Sequence, residues 1–372
     1  DTYAISEELT TLFAKFDMNT EVAGMMVQGN FGVQVVNAKQ SGQGFSTTSN
    51  AQGFTVATPV SDSDDYTDIL PSLNLSVEVA DRQYVRTAVS KVISRPRMDN
   101  LRPNAQVTFQ FNDGNILSDD PANSPWGGNA GNTKLKPLEA NQFDLAYENY
   151  YHDNGFFAAS FFFKDLKNWH RNETVIADFS DVYIPGFHQS SDATGNQPPV
   201  LFVGGLSQVT DGLQGFVRGY EFQASVPFEI VHQALDGFGI VASATFMDGK
   251  LDDGGRVPGL SEEIYTLTAY YEYKGFEFRI SGTKRDEFLS ETRGLSLSLA
   301  TVEDRGAELW DAQIGYDFSE SNIDALDGLR VTFQVQNITD EPTLKTNGAD
   351  VRQVTEYQSF GNNYMLGLNY KF

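Results

Sequence analysis

Four histidines are the residues of this chain best suited to metal binding or proton transfer: His152, His170, His188 and His232. No two of them lie at metal-ligand spacing, and the chain has no cysteine. The sequence therefore excludes a disulfide framework and a thiolate metal site. It also lacks a nucleophile elbow, a phosphate-binding loop and a zinc-protease motif. We expect a protein that is not an enzyme and that has no catalytic residues.

Neighbouring carboxylates offer a second kind of chemistry. Asp64-Asp65 and Asp119-Asp120 have the residue type for acid–base catalysis, but they lie in Ser-, Asn- and Pro-rich stretches where solvated carboxylates are the simpler interpretation. Asp62, Asp64 and Asp65 also supply the hard oxygen ligands that Ca²⁺ prefers. Because the spacing is not that of an EF-hand, a structural calcium ion near these residues is a hypothesis, and we expect no other cofactor.

A third set of residues suits sugar recognition. Aromatic rings stack on the CH faces of sugars, and adjacent polar groups hydrogen-bond the hydroxyls. The candidate ligand contacts are Trp126, Trp169, His170, Arg171, Tyr183, Phe187 and Phe202. The structural alternative is that these residues form an interfacial aromatic girdle or pack loops together.

Composition limits the class of protein. The formal net charge of -24 argues against nucleic acid as a partner, because such binding requires a basic surface. No apolar run approaches the roughly 20 residues of a membrane helix. Aromatic residues make up 13% of the chain, with 28 Phe and 16 Tyr. This composition fits a soluble acidic all-β protein, and it equally fits a barrel whose lipid-facing residues alternate with polar ones.

Period-two alternation predicts about 13 strands. In the last of them Tyr364, Leu366, Leu368 and Tyr370 share one face, and Asn369 and Lys371 share the other. Such polar faces suit a water-filled lumen better than a packed core. The predicted strands cover residues 9–19, 30–40, 69–79, 83–95, 141–151, 156–168, 215–228, 238–249, 264–273, 276–284, 309–318, 329–337 and 364–372.

The connections between these strands alternate in length. Tight turns of Asp, Asn and Gly residues at 80–82, 152–155 and 274–275 alternate with long stretches. The long stretches are 41–68, 96–140, 169–214, 250–263, 285–308 and 338–363. Short turns on one rim and long loops on the other are typical of bacterial outer-membrane barrels, with the long loops extracellular and the C-terminus on the periplasmic side.

Six motifs follow one another along the chain. The segment 70–75 reads LPSLNL, and Ala88-Val89-Ser90-Lys91 is followed by Ser94-Arg95-Pro96. The others are 131–144, 163–168, the turn at 335–340 and the terminal Phe372. Together they resemble the motifs of the TonB-dependent receptors, which are outer-membrane transporters with 22-stranded barrels. Thr133 departs from the family, which usually has Pro there. The resemblance implies that Tyr370 and Phe372 form the signal read by the barrel-assembly machinery.

The resemblance covers residues 1–372 as the C-terminal part of such a barrel. Thirteen strands cannot make a 22-stranded barrel, and an open edge would leave backbone groups unpaired in lipid. We therefore expect a plug domain and the first strands to lie in a missing N-terminal part, in cis or as a separate chain. The first residues, Asp1 to Ala4, do not read as a signal peptide. Because an outer-membrane protein requires a signal peptide, we expect that the signal peptide has been removed or that the start of the protein is missing.

The implied function is import of a bulky nutrient across the outer membrane with energy from the TonB complex, which acts through the missing part. An oligosaccharide or glycan fragment is the favoured cargo. The alternatives are a ferric siderophore, a passive porin and a soluble β-rich glycan-binding protein. Other expected partners are outer-membrane lipid, lipopolysaccharide and a surface lipoprotein.

Overall fold

The computed structural model describes residues 2–190, 197–293 and 299–371, and Phe372 lies outside them. The described part is all-β. In chain order, its strands are β1 (Ala4–Val22), β2 (Met25–Ser49), β3 (Thr55–Ala80), β4 (Gln83–Ser94), β5 (Ala105–Phe109), β6 (Trp126–Ala130), β7 (Leu138–Asn149), β8 (Phe156–Asp178), β9 (Val203–Pro227), β10 (Phe238–Leu251), β11 (Glu263–Tyr273), β12 (Phe276–Arg285), β13 (Phe288–Arg293), β14 (Leu299–Asp304), β15 (Ala307–Asp317), β16 (Leu329–Gln336), β17 (Thr343–Thr346), β18 (Val354–Gln358) and β19 (Asn363–Tyr370).

Thirteen of these strands form one antiparallel wall. The pairing runs β1-β2-β3-β4-β7-β8-β9-β10-β11-β12-β15-β16-β19, and each of the thirteen overlaps one predicted segment. The fold prediction is confirmed, because this is the antiparallel meander of a β-barrel wall.

Short and long connections lie on opposite rims. On the short-turn rim, β1 and β2 are joined through Ala23-Gly24 and β11 and β12 through Lys274-Gly275, and all four of these residues have positive φ. The other rim carries the connections that contain β5, β6, β13, β14, β17 and β18. We call it the long-loop rim. The predicted sorting of connections by length holds for these connections, but not for the turn between β2 and β3, which is short and lies on the long-loop rim.

The two faces of the wall differ in polarity. In β19, Leu366 is 71% exposed and Leu368 is 70% exposed, on the outer face that also carries Phe333 of β16. On the inner face Arg86 pairs with Glu148 at 2.8 Å and Arg279 with Glu272 at 2.9 Å. Arg330 pairs with Glu277 in the same way. These inner-face arginines are neutralised by carboxylates of the wall itself.

The prediction of a long loop at residues 41–68 is wrong. Its residues extend β2 to Ser49 and begin β3 at Thr55, so the true connection is a turn at residues 50–54. The register continues unbroken from Val27↔Val77 to Ser49↔Thr55. The segment is rich in Ser and Thr, so its faces are both polar and the apolar alternation that marks a lipid-facing strand is missing. Backbone pairing with the facing strand is what keeps it extended.

The connection between β4 and β7 folds back across the barrel mouth. Its hairpin β5–β6 pairs in parallel with β2 at Thr47↔Gln106 and with β9 at Gly127↔Gly205. These pairings close a circuit of eight strands through β2, β3, β4, β7, β8, β9, β6 and β5. Among the described residues, no helix is long and apolar enough to cross a bilayer.

Candidate functional site at the long-loop rim

An aromatic cluster on the long-loop rim surrounds one buried histidine, His188. We define this rim cluster as Phe109, Phe111, Trp126, Phe179, Tyr183, Phe187, His188 and Phe202. The His188 ring centroid lies 4.6 Å from that of Phe109, 4.8 Å from Trp126 and 4.8 Å from Phe187. The cluster joins the β5–β6 hairpin to the connection between β8 and β9, which are far apart in sequence.

His188 is held neutral by this packing. The side chain is 1% exposed, and its Nδ1 accepts a hydrogen bond from the Ile184 backbone N–H at 3.0 Å. An acceptor at Nδ1 places the remaining ring proton on Nε2. Burial lowers the pKa of His188, because the apolar surroundings disfavour the charged ring. His188 therefore serves as an apolar, hydrogen-bonded core residue of the rim.

The cluster has a buried part and an open part. Trp126 is 2% exposed and stacks on Phe179 with ring centroids 5.8 Å apart. Tyr183 and Phe202 are half-buried and meet edge to face at 5.0 Å. Half-buried rings keep exposed surface that a ligand can contact, whereas Trp126 has almost no exposed surface. The structure thus brings together four of the seven predicted contacts, and ligand contact itself remains a prediction for all seven.

The other three predicted contacts lie in a second place. Trp169 packs against a small core formed by Ala140, Leu166, Leu213, Leu251 and Val257. His170 Nε2 lies 2.8 Å from the Lys136 carbonyl oxygen, and Arg171 pairs with Glu173 at 3.0 Å. No ring contact among the described residues joins Trp169 to the rim cluster. The two groups are therefore separate candidate subsites.

Sequence reasoning missed the centre of the rim cluster. His188 was considered only as a metal ligand, and Phe109, Phe111 and Phe179 were not considered. Phe109 is the last residue of β5 and Phe111 follows it two residues later, and their rings pack edge to face at 4.9 Å. Their i, i+2 spacing within a supposed loop was a signal for a short strand with one apolar face.

The predicted calcium region is occupied by protein groups. Thr133 Oγ1 donates to Asp62 at 2.5 Å, and Lys136 Nζ donates to Asp64 at 2.5 Å. Among the residues that the structure describes, no group of three His, Cys, Asp or Glu side chains has a metal-binding arrangement. Calcium at Asp62, Asp64 and Asp65 remains a prediction, and it requires an ion that displaces the Lys136 ammonium group.

The same inner wall holds the long connection in place. Gln40 is 2% exposed, and its Nε2 donates to the carbonyl oxygens of Thr133 and Leu135, at 2.5 and 2.9 Å. Leu135 is fully buried. One amide side chain of the wall thus satisfies two backbone acceptors of the segment that carries the β5–β6 hairpin.

The long-loop segments are acidic as a group. Residues 96–140, 169–214, 250–263, 285–308 and 338–363 contain 24 Asp and Glu against 12 Lys and Arg. Field lines from such a rim attract cations, repel anions and leave neutral molecules unaffected. A rim of this charge therefore discriminates between anionic, neutral and cationic molecules.

A family comparison assigns the barrel. Residues 2–338 match the family model described as TonB dependent receptor-like, beta-barrel. The chain belongs to the TonB-dependent receptor family. Receptors of this family are outer-membrane transport proteins and not enzymes. The recognition made from the motifs is confirmed.

Solved structures of TonB-dependent receptors share this fold. The ferric-catecholate import receptor Fiu from E. coli K12 has a TM-score of 0.60 at 15% identity, over 99% of this chain and 45% of that chain. The siderophore receptor PirA from Acinetobacter baumannii has a TM-score of 0.57 at 14% identity, over 99% and 55%. A ferric enterobactin receptor of Pseudomonas aeruginosa, PfeA, in complex with enterobactin, gives 0.59 at 13% identity, over 99% and 55%.

These comparisons support the fold and not the cargo. The identities are too low to transfer a ligand, and this chain spans about half the length of the receptors it matches. The search of curated proteins finds no match.

Proposed function

We propose that this chain is the C-terminal barrel part of an outer-membrane receptor that imports a neutral oligosaccharide or glycan fragment with energy from the TonB complex. The observation that carries the proposal is an antiparallel wall with a polar inner face and an acidic, aromatic long-loop rim. The long-loop rim is extracellular and captures the cargo. The short-turn rim and the end of β19 are periplasmic.

Charge favours a neutral cargo over a ferric catecholate. Ferric complexes of catecholate ligands are anionic, and an excess of 12 carboxylates over basic groups on the long-loop segments repels them. A neutral sugar meets no such barrier, and the half-buried rings of Tyr183, Phe187 and Phe202 offer stacking surfaces. Ferric siderophores are the second candidate, because the similar solved structures include siderophore receptors.

The open edges of the wall support a larger assembly. Among the described strands, β1 pairs only with β2, and β19 pairs only with β16. Unpaired backbone groups are costly in lipid, so these edges require further strands. We infer that another segment, in cis or as a separate chain, adds the remaining strands and the plug through which TonB acts. Lipopolysaccharide and a surface lipoprotein are the partners proposed for the exterior and the rim.

Binding by the complete purified receptor tests the cargo. A panel of neutral oligosaccharides and a ferric catecholate are titrated by calorimetry, together with Tyr183→Ala and Phe202→Ala. We expect sugar binding that weakens by about tenfold in each variant, since one aromatic contact contributes on the order of 1 kcal/mol or more. Phe54→Ala, at the exposed tip of the β2–β3 hairpin, is the matched control and should bind normally. Binding of the ferric catecholate alone would transfer the assignment to the second candidate.

Membrane fractionation tests the class of protein. We expect the complete receptor to sediment with the outer membrane and to partition into the detergent phase. Recovery from the aqueous phase would support a soluble glycan-binding protein. Steady ion conductance of the complete receptor in planar bilayers, without TonB, would support a passive porin.

A further inference from the structure

The connection between β4 and β7 crosses the barrel mouth as a strap. We call residues 95–137 the strap, and its hairpin of β5 and β6 joins β2 on one side to β9 on the other. At the β9 junction the two backbones touch, since a Cβ added to Gly204 would clash with the Trp126 carbonyl oxygen. The hairpin and six wall strands form a ring of eight strands. Side chains fill the interior of a ring of this size.

The strap is anchored in the mouth by packing and by hydrogen bonds. Its residues Ile116 and Leu135 are fully buried. The Asn132 side chain donates to the Val209 carbonyl oxygen of β9 at 3.1 Å. The strap is therefore a fixed part of the mouth, and it has its own apolar core.

Three polar side chains of the inner wall lie under the strap. The Glu7 side chain is 5% exposed and pairs with Arg95 at 2.9 Å. Tyr66 is 9% exposed, and the Lys136 ammonium group lies 5.6 Å from its ring centroid. Gln40 is also buried, and it bonds two strap carbonyls as described above. The strap thus closes the inner face over β1, β2 and β3 to solvent at this level.

The rim is built differently over β12, β15, β16 and β19. Each of these strands is followed or preceded in the chain by one rim strand, and the rim strands pair in the same order, β13-β14-β17-β18. This four-stranded sheet therefore continues the wall upward, and within the described residues it pairs with no strand outside itself. Below it Thr283 and Asp311 share the inner face with Arg279, and both are exposed.

We propose that the strap closes the mouth over β2, β3, β4, β7 and β8, and that the neutral sugar enters along the inner face of β11, β12, β15 and β16. The proposal rests on the import function proposed above. Exposed hydroxyl and carboxylate groups on this entry face match the donors and acceptors of a sugar. The rim cluster lies at the boundary of the two regions, because Trp126 and Phe202 lie at the junction of β6 with β9, and β10 is the next wall strand.

Cysteine labelling of the complete receptor tests the entry route. Ser90 of β4 and Thr283 of β12 both lie on the inner face, and each lies eight residues beyond the turn before its strand, at Arg82 and Gly275. This chain has no cysteine, so Ser90→Cys and Thr283→Cys in a cysteine-free receptor each supply one reactive site. The reagent is a maleimide with a neutral polyethylene glycol chain, added outside intact cells. We expect Ser90→Cys to react at least about tenfold more slowly, because reaction there requires local opening of the strap.

Removal of the hairpin separates the strap from other causes of slow labelling. Replacement of residues 105–130 by a Gly-Ser linker should raise the rate at Ser90→Cys to that at Thr283→Cys. Both variants should react equally in denatured receptor. Equal rates in the intact receptor, or a slower rate at Thr283→Cys, would overturn the proposal. If the deletion variant loses the heat-modifiable fold, the ratio of rates in the intact receptor decides.

Uptake measurements separate the entry route from import itself. An imported neutral sugar should slow the labelling of Thr283→Cys, and the attached polymer should then block uptake by that variant. Unlabelled Ser90→Cys and Thr283→Cys should import normally. A receptor that imports sugar but labels equally at both positions would contradict only the entry route. The labelling difference without any uptake of neutral sugar would support the closed strap and contradict the proposed function.

Discussion

His188 shows how one buried side chain makes the rim sensitive to pH. The pKa of His188 is lowered in the folded state, so the folded rim binds fewer protons than the locally unfolded rim. The packing of His188 contributes fully to the stability of the folded rim above the ordinary histidine pKa of about 6.5, and this contribution is lost as the pH falls below that value. Protonation of Nδ1 would also remove the bond from the Ile184 N–H.

The corresponding prediction concerns hydrogen exchange at residues 184–188. We expect these amides to exchange faster at pH 5.5 than at pH 7.5, after correction for intrinsic rates, and His188→Phe to abolish the difference. His232→Phe, at a turn on the short-turn rim, is the control and should keep it. A pH response that survives in His188→Phe would assign the effect to another group.

Gln40 makes a different kind of contribution, through two hydrogen bonds to buried carbonyls. Gln40→Ala leaves both acceptors unsatisfied, at a cost of about 1–3 kcal/mol each. We expect faster hydrogen exchange in residues 131–137 and a lower melting temperature. Asn37→Ala removes an exposed amide of the same strand, bound to Thr67, and should change little. Equal effects of the two variants would contradict the role of Gln40.

Sequence alone placed residues correctly only where they lie on the wall. Alternation put Leu366 and Leu368 on one face of the last strand and Asn369 on the other, because strand parity fixes the face. It could not group Trp126 with Phe202 or separate Trp169 from them. Those contacts depend on where loops of 24 and 43 residues fold, and no local period encodes that path.

At the scale of elements, the thirteen wall strands were predictable and the six rim strands were not. The wall strands have eight or more residues each, whereas β5, β6, β17 and β18 have four or five residues in all. Short strands are held by pairing with distant partners, which propensity does not reveal. The extension of β2 and β3 over residues 41–68 was missed for the related reason that both its faces are polar.

The closed circuit through β5 and β6 gives a prediction at this scale. Thr47 and Gln106 are register partners, and neighbouring strands lie at a spacing within disulfide range. Since the chain has no cysteine, Thr47→Cys with Gln106→Cys should form one intramolecular disulfide under mild oxidation. Thr48→Cys with Gln106→Cys points one cysteine to the other face and should form little. Equal yields in the two pairs would mean that the hairpin does not dock on β2 in this register.

For the whole molecule, the open edges of β1 and β19 determine what this chain can do alone. We predict that residues 1–372, refolded in detergent, give no heat-modifiable monomeric band on electrophoresis. The complete receptor should give one, because the further strands that we propose would pair with both edges. A closed, heat-modifiable barrel formed by residues 1–372 alone would contradict the inference of a larger wall.

Uptake by cells that express the complete receptor tests the central claim most directly. Depletion of neutral oligosaccharides from the medium is measured by mass spectrometry, with and without a functional TonB complex. The account predicts depletion of at least one neutral oligosaccharide, and its loss when TonB is absent. Depletion that persists without TonB, or TonB-dependent uptake of a ferric siderophore alone, would contradict it.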